Sequence, residues 1–128
     1  MLIADTDSEQ KLACLCEVTR ALQWHDTVLL GKVTPKAMRS ILEAAGWREG
    51  STEFKAVDKK MLPINTEFIQ GNPEDPEVIT IPLQQNFKDY YLRVIEWATS
   101  FSEYYHNRSS AELIAEALIM ENKTIDTL

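Results

Sequence analysis

Between Val78 and Phe101 the chain reads VITIPLQQNFKDYYLRVIEWATSF, and its hydrophobic repeat changes halfway along. Ile79 and Ile81 alternate with Thr80 and Pro82, the two-residue beat of a strand with one buried face. Phe87, Tyr91, Val94, Ile95, Ala98 and Phe101 then recur every three to four residues, the wide apolar stripe of an amphipathic helix. A strand that hands over directly to a long helix rules out purely helical and purely stranded architectures. Asn86 is the expected N-cap of that helix, because its side-chain oxygen can accept from an orphan N–H of the first turn.

The rest of the chain fills in around this junction. Thr34 and Pro35 open a helix in the cap and first helical positions, Met38, Ile41, Leu42 and Ala45 line its apolar face, and Gly46 closes it. Trp47 follows at once, placed to fold back over the helix end. Upstream, Thr6 and Glu9 form a capping box for a helix over about 7–22, whose face is Leu12, Leu15, Cys16, Thr19 and Leu22. TVLLGKV, 27–33, is short and β-branched at its ends, and is expected to be a strand. Three further strands are expected near 53–57, 61–69 and 77–83, with Pro63 and Pro82 at edges or strand ends because neither can donate a ladder bond. QGNPEDPE, 70–77, is a solvated hairpin loop. Ser109 and Glu112 form a second capping box, for a last helix whose core face is Leu113, Ile114, Ala117 and Leu118. The tail, 121–128, is expected to fray. The predicted order is α-β-α-β-β-β-α-α: one α+β domain over 1–128, a small antiparallel sheet of three to four strands with about four helices packed on it.

Composition excludes several functions. With 128 residues the chain can bury a self-sufficient core without disulfides or metal. A net charge of −7 opposes nonspecific binding to nucleic-acid backbones and to anionic membranes, and the longest apolar run is far too short to span a bilayer. An acidic N-terminus without a basic n-region gives no secretory signal, so the expected location is the cytoplasm. Cys14 and Cys16, two apart on a helix, point in divergent directions and are expected to be buried, reduced thiols.

No spacing suggests a metal, a cofactor or a catalytic residue. His25 and His106 stand alone in sequence, and the four glycines form no phosphate-cradling loop. Asp89 and Arg93 are four apart on the long helix and should form an ion pair. In each of the pairs Tyr90–Tyr91 and Tyr104–Tyr105 one ring can enter the core while the other is turned outward, and exposed tyrosines enrich protein interfaces. The candidate interface or functional surface is therefore Trp47, Asp89, Tyr90, Arg93, Tyr104 and Tyr105.

From Gly46-Trp47 through ITIPL, DYYLRVIEWA and NRSSAELIAEAL, over about seventy residues, the chain resembles a set of small uncharacterised bacterial proteins. These share a Gly-Trp, a strand ending in Pro-Leu, Asp-Tyr-x-x-Arg and Arg-Ser-x-x-x-Leu. The resemblance implies that Asp89, Tyr90 and Arg93 belong to a common feature at the start of the long helix. Over a shorter stretch, ILEAAGW, STEFK and VITIPL, it also resembles HicA-type mRNA-interferase toxins, which have a double-stranded-RNA-binding-like fold. Where that family carries a catalytic histidine after Gly-Ser, this chain has Thr52 after Gly50-Ser51.

The expected function is a non-enzymatic, cytoplasmic binding or regulatory module, acting through protein contacts with itself, as a homo-oligomer, or with a partner. Two alternatives stay open. One is RNA binding or processing on a HicA-like core through Lys55, Lys59, Lys60 and Lys88, although the acidic charge makes nucleic acid the less expected partner. The other is an enzyme assembled from distant segments such as Asp89, Arg93 and His106.

Overall fold

The computed structural model describes the backbone of residues 6–126 and the side chains of residues 9–121. Its elements are α1 (Thr6–Trp24), α2 (Thr27–Leu30), α3 (Pro35–Ala44), β1 (Arg48–Val57), β2 (Lys60–Gln70), β3 (Glu77–Pro82), α4 (Tyr90–Tyr104) and α5 (Ser110–Asp126). The class is α+β, with a three-stranded antiparallel sheet in the order β1-β2-β3, so both β1 and β3 are edges. The Thr6–Glu9 capping box and all but the first residue of the 121–128 tail fall outside the described side chains.

The sheet meets the helices at one end. Thr66 pairs with Ile81 and Phe68 with Ile79, and all four are buried. Against them lie α3 and α4, and α5 in turn packs on α1, α3 and α4. Phe68, Trp97, Phe101, Met38, Leu42, Leu113 and Ile114 are among the fully buried side chains; each large apolar group of this kind contributes roughly 1.5–3 kcal/mol when removed from water. Among the described residues the indole N–H of Trp97 is a buried polar atom without a partner. The start of β1 is tied to α3 by an Arg39–Glu49 ion pair of 3.3 Å, and the same guanidinium lies 5.7 Å over the Phe68 ring.

Local chemistry explains the helix ends. Thr34 Oγ1 accepts from the Ala37 N–H at 3.1 Å and Pro35 occupies the first turn. Gly46 has φ of 92°, a left-handed closure that glycine adopts without a Cβ penalty. Ser109 and Glu112 exchange the two bonds of a capping box, at 3.2 and 3.3 Å.

Four expectations need correction. The 27–33 segment is not a strand: Asp26 accepts from the N–H groups of Val28 and Leu29 at 3.1 and 3.0 Å, and this cap overrides the β-branched bias with a single helical turn. The order is thus α-α-α-β-β-β-α-α. The first helix buries Val18 and Ala21, while Leu12, Cys16 and Thr19 are exposed, because α5 and α2 contact it along a stripe turned away from the predicted one. Cys16 is accordingly exposed and Cys14 half-buried. Finally, Asn86 does not cap α4: turns through Phe87 precede it, with the Tyr90 N–H donating to the Phe87 carbonyl. The buried stripe of α4 is Tyr90, Val94, Trp97, Ala98 and Phe101.

Candidate interaction surface

The six residues singled out from the sequence fall into two groups at opposite ends of α4. At its C-terminal end, the ring of Trp47 packs 5.3 Å from that of Tyr104, and its indole N–H donates to the Tyr105 hydroxyl at 3.0 Å. That hydroxyl lies 3.2 Å from Gln70 Oε1 at the end of β2. Trp47 is buried, Tyr105 half-buried, and Tyr104 is the ring turned to solvent. The cluster locks the end of α3, the end of β2 and the end of α4 together.

At the N-terminal end, Arg93 reaches both Asp89, at 3.4 Å, and Glu96, at 2.8 Å. Hydrogen bonding to Glu96, together with the charge of both acids, pushes its guanidinium above the ordinary arginine range. Tyr90 turns inward and donates its hydroxyl to the Val33 carbonyl. Burial, with the Glu121 carboxylate adding to it, raises that phenol well above its usual range. These residues border an open polar cleft of about 360 Å³, whose other walls include Lys55, Asn65, Thr80 and Gln84. Lys55 and Arg93 face Asp89 and Glu96 there, so the cleft is charge-balanced and does not select an anion or a cation.

His106 lies beyond the far end of α4 from Arg93. At a rise of 1.5 Å per residue the intervening turns separate them by roughly 16 Å, so Asp89, Arg93 and His106 do not converge. An apolar groove of about 580 Å³ runs between α1 and α5, floored by Leu12, Leu15, Ala115 and Ile119, and the Arg108–Glu116 ion pair borders it.

A different surface lies apart from these six residues. Beyond the helices the β1–β2 hairpin extends with β1 exposed along most of its length. The register pairs Phe54 with Pro63 and Ala56 with Met61, next-but-one pairs that share one face. Phe54 is 54% and Met61 64% exposed. The intervening pairs, Lys55–Leu62 and Val57–Lys60, put two lysines on the opposite face. Among the described residues no strand pairs with the outer edge of β1. The signal was present in the sequence: Phe54, Ala56, Met61 and Pro63 alternate symmetrically about a turn. Alternation alone, however, does not say whether a helix covers the apolar beat.

Comparison with protein-family models, with curated proteins and with solved structures returned no match.

Proposed function

We propose that this chain is a small acidic cytoplasmic binding or regulatory module, not an enzyme, and that it works through protein contacts made by the β1–β2 hairpin. The observation that carries this is the exposure of Phe54 and Met61 on one face of a strand pair whose outer edge is unpaired. Clustered exposed apolar side chains mark interaction sites, and an unpaired edge offers backbone groups to a further strand. Tyr104, next to the buried Trp47, gives a second and smaller aromatic contact point. The test is a photo-crosslinking amino acid placed at position 54 or 61 in cells that express the protein. A discrete adduct is expected from both hairpin positions and none from the exposed Lys36 on α3. Irradiation that leaves both hairpin variants uncrosslinked would overturn the proposal.

One observation favours a second function, RNA binding. Lys55 and Lys60 lie diagonally on one face of the hairpin, with Lys59 in the turn between the strands. Three adjacent cations can contact phosphates despite an acidic whole. Filter binding of double-stranded RNA at low salt should then weaken when Lys55 and Lys60 become Ala. Retention equal to that of an uncharged control would dismiss this alternative.

A further inference from the structure

Resting on the hairpin as the contact surface, we infer that its partner is a second copy of this chain. The two copies join β1 to β1 about a two-fold axis through Phe54, so that two three-stranded sheets become one of six strands.

The length of usable edge is set by two features. The register shifts between Glu49 and Thr52, a bulge at which a Cβ on Gly50 would sit 3.2 Å from the Glu67 carbonyl oxygen. At the other end the turn at Asp58 and Lys59 closes the hairpin. Between them Thr52 to Val57 of β1 carries no inserted residue. The second register shift, between Glu53 and Phe54, leaves the extra residue, Ile64, on β2, so the outer edge of β1 runs on, whereas an insertion in β1 itself interrupts its pairing. Phe54 lies near the middle of this run.

Charge then selects the register. A two-fold axis perpendicular to a continuous sheet keeps each face on its own side, so one residue must sit opposite its own copy. Centring on Glu53 would oppose two carboxylates, and centring on Lys55 two ammonium groups, both unfavourable as directly facing cross-strand pairs. Centring on Phe54 instead places Glu53 opposite Lys55 of the second copy, and Lys55 opposite its Glu53. Both residues have capacity for this. Among the described residues Lys55 makes no ion pair, and Glu53 accepts only a hydrogen bond from Asn65 Nδ2 at 3.2 Å. The same register sets the two Phe54 rings side by side and joins the Phe54, Ala56, Pro63 and Met61 faces into one apolar strip across the axis. Charges on an edge strand often prevent pairing; here the sign alternates so that an antiparallel copy is attracted.

Sedimentation equilibrium of the full chain and two charge-reversed variants tests this without risk to folding, since both side chains are exposed. The native chain is expected to dimerise. Glu53→Lys or Lys55→Glu alone replaces two attractive facing pairs with two repulsive ones by symmetry, and should weaken self-association by about tenfold or more. The two variants mixed in equal amounts restore both attractive pairs and should form a heterodimer at least as tight as the native dimer. A native chain that stays monomeric at the highest concentrations, or variants that self-associate like the native chain, would overturn the inference, as would a mixture that does not associate. The crosslinking experiment separates this failure from that of the broader proposal. A discrete adduct to a different protein removes the second copy but keeps the hairpin as the contact surface, whereas no adduct at all removes both.

Discussion

Trp47 donates its indole N–H to the hydroxyl oxygen of Tyr105 across 3.0 Å, linking the segment just past the end of α3 to the C-cap of α4. Tyr105 supplies the acceptor for an indole that is otherwise buried. Tyr105→Phe keeps the ring but strands that donor, and an unsatisfied buried group costs about 1–3 kcal/mol. Urea unfolding should show a loss of this size. In a Trp47→Phe background the same change should cost much less, because no N–H remains to be stranded; equal costs in both backgrounds would mean the bond contributes nothing.

Tyr90 carries a pH dependence. Burial raises its phenol above the unfolded tyrosine value of about 10. Between those two values the unfolded chain releases a proton that the folded chain keeps, so this stabilisation is whole below about pH 10 and falls as pH rises further. Tyr90→Phe should therefore lower stability near neutrality by about 1–2 kcal/mol, since the Val33 carbonyl loses its donor. It should also flatten the alkaline decline. Thermal melts of both proteins from pH 8 to 11 measure the two effects, and parallel declines would count against the phenol as their source.

Thr34 makes two bonds at the start of α3: it accepts from the Ala37 N–H and donates to the Glu121 carboxylate. Thr34→Ala removes both and should cost about 1–2 kcal/mol, whereas Thr34→Ser keeps both and should stay within about 0.5 kcal/mol of the native chain. Chemical denaturation of the pair distinguishes the cap from a mere change in helix propensity.

Much of this fold was legible wherever a local rule acted alone. Thr34, Pro35 and Gly46 fix α3 through cap chemistry that needs no tertiary partner, and Ser109 with Glu112 fixes the start of α5 in the same way. Rotation of a helix about its own axis was less legible. Both Tyr90 and Tyr91 satisfy helical spacing, but it is Tyr90 that turns inward, in line with Val94, Trp97 and Phe101 and onto the Val33 carbonyl. The α2 segment misled because propensity favoured a strand while one Asp26 carboxylate held a turn. At the candidate surface, Asp89 and Arg93 did form the ion pair their spacing predicts. The exposure of Phe54 and Met61 was not legible, because it depends on where α3 and α4 stop covering the sheet, which no single stretch encodes.

The two thiols should differ in reactivity. Cys16 is exposed, whereas Cys14 is half-buried, its thiol donating to the Ala115 carbonyl at 3.8 Å. Burial, and the neighbouring Glu17 charge after it, raise the Cys14 thiol above its ordinary value. Since the thiolate is the nucleophile, iodoacetamide at pH 8 should modify Cys16 roughly tenfold faster. Peptide mass spectrometry over time reads the two rates separately, and faster labelling at Cys14 would contradict the rotation of α1.

The hairpin turn offers a stabilising change. Asp58 and Lys59 both have positive φ, 49° and 67°, the backbone of a two-residue turn that matches the twist of its strands. A bulky side chain is disfavoured there, by about 1–2 kcal/mol relative to the right-handed region. Lys59→Gly removes the Cβ penalty, offset in part by greater freedom of the unfolded chain, and should stabilise the protein by about 0.5–1 kcal/mol. Lys59→Val adds a β-branched group to the same strained position and should destabilise it. Because the turn lies outside the Thr52–Val57 run, neither change should alter the facing of Glu53 and Lys55 across the inferred axis. Thermal melts report the first effect and sedimentation the second; a glycine variant that melts lower would show that the left-handed turn is not what limits the hairpin.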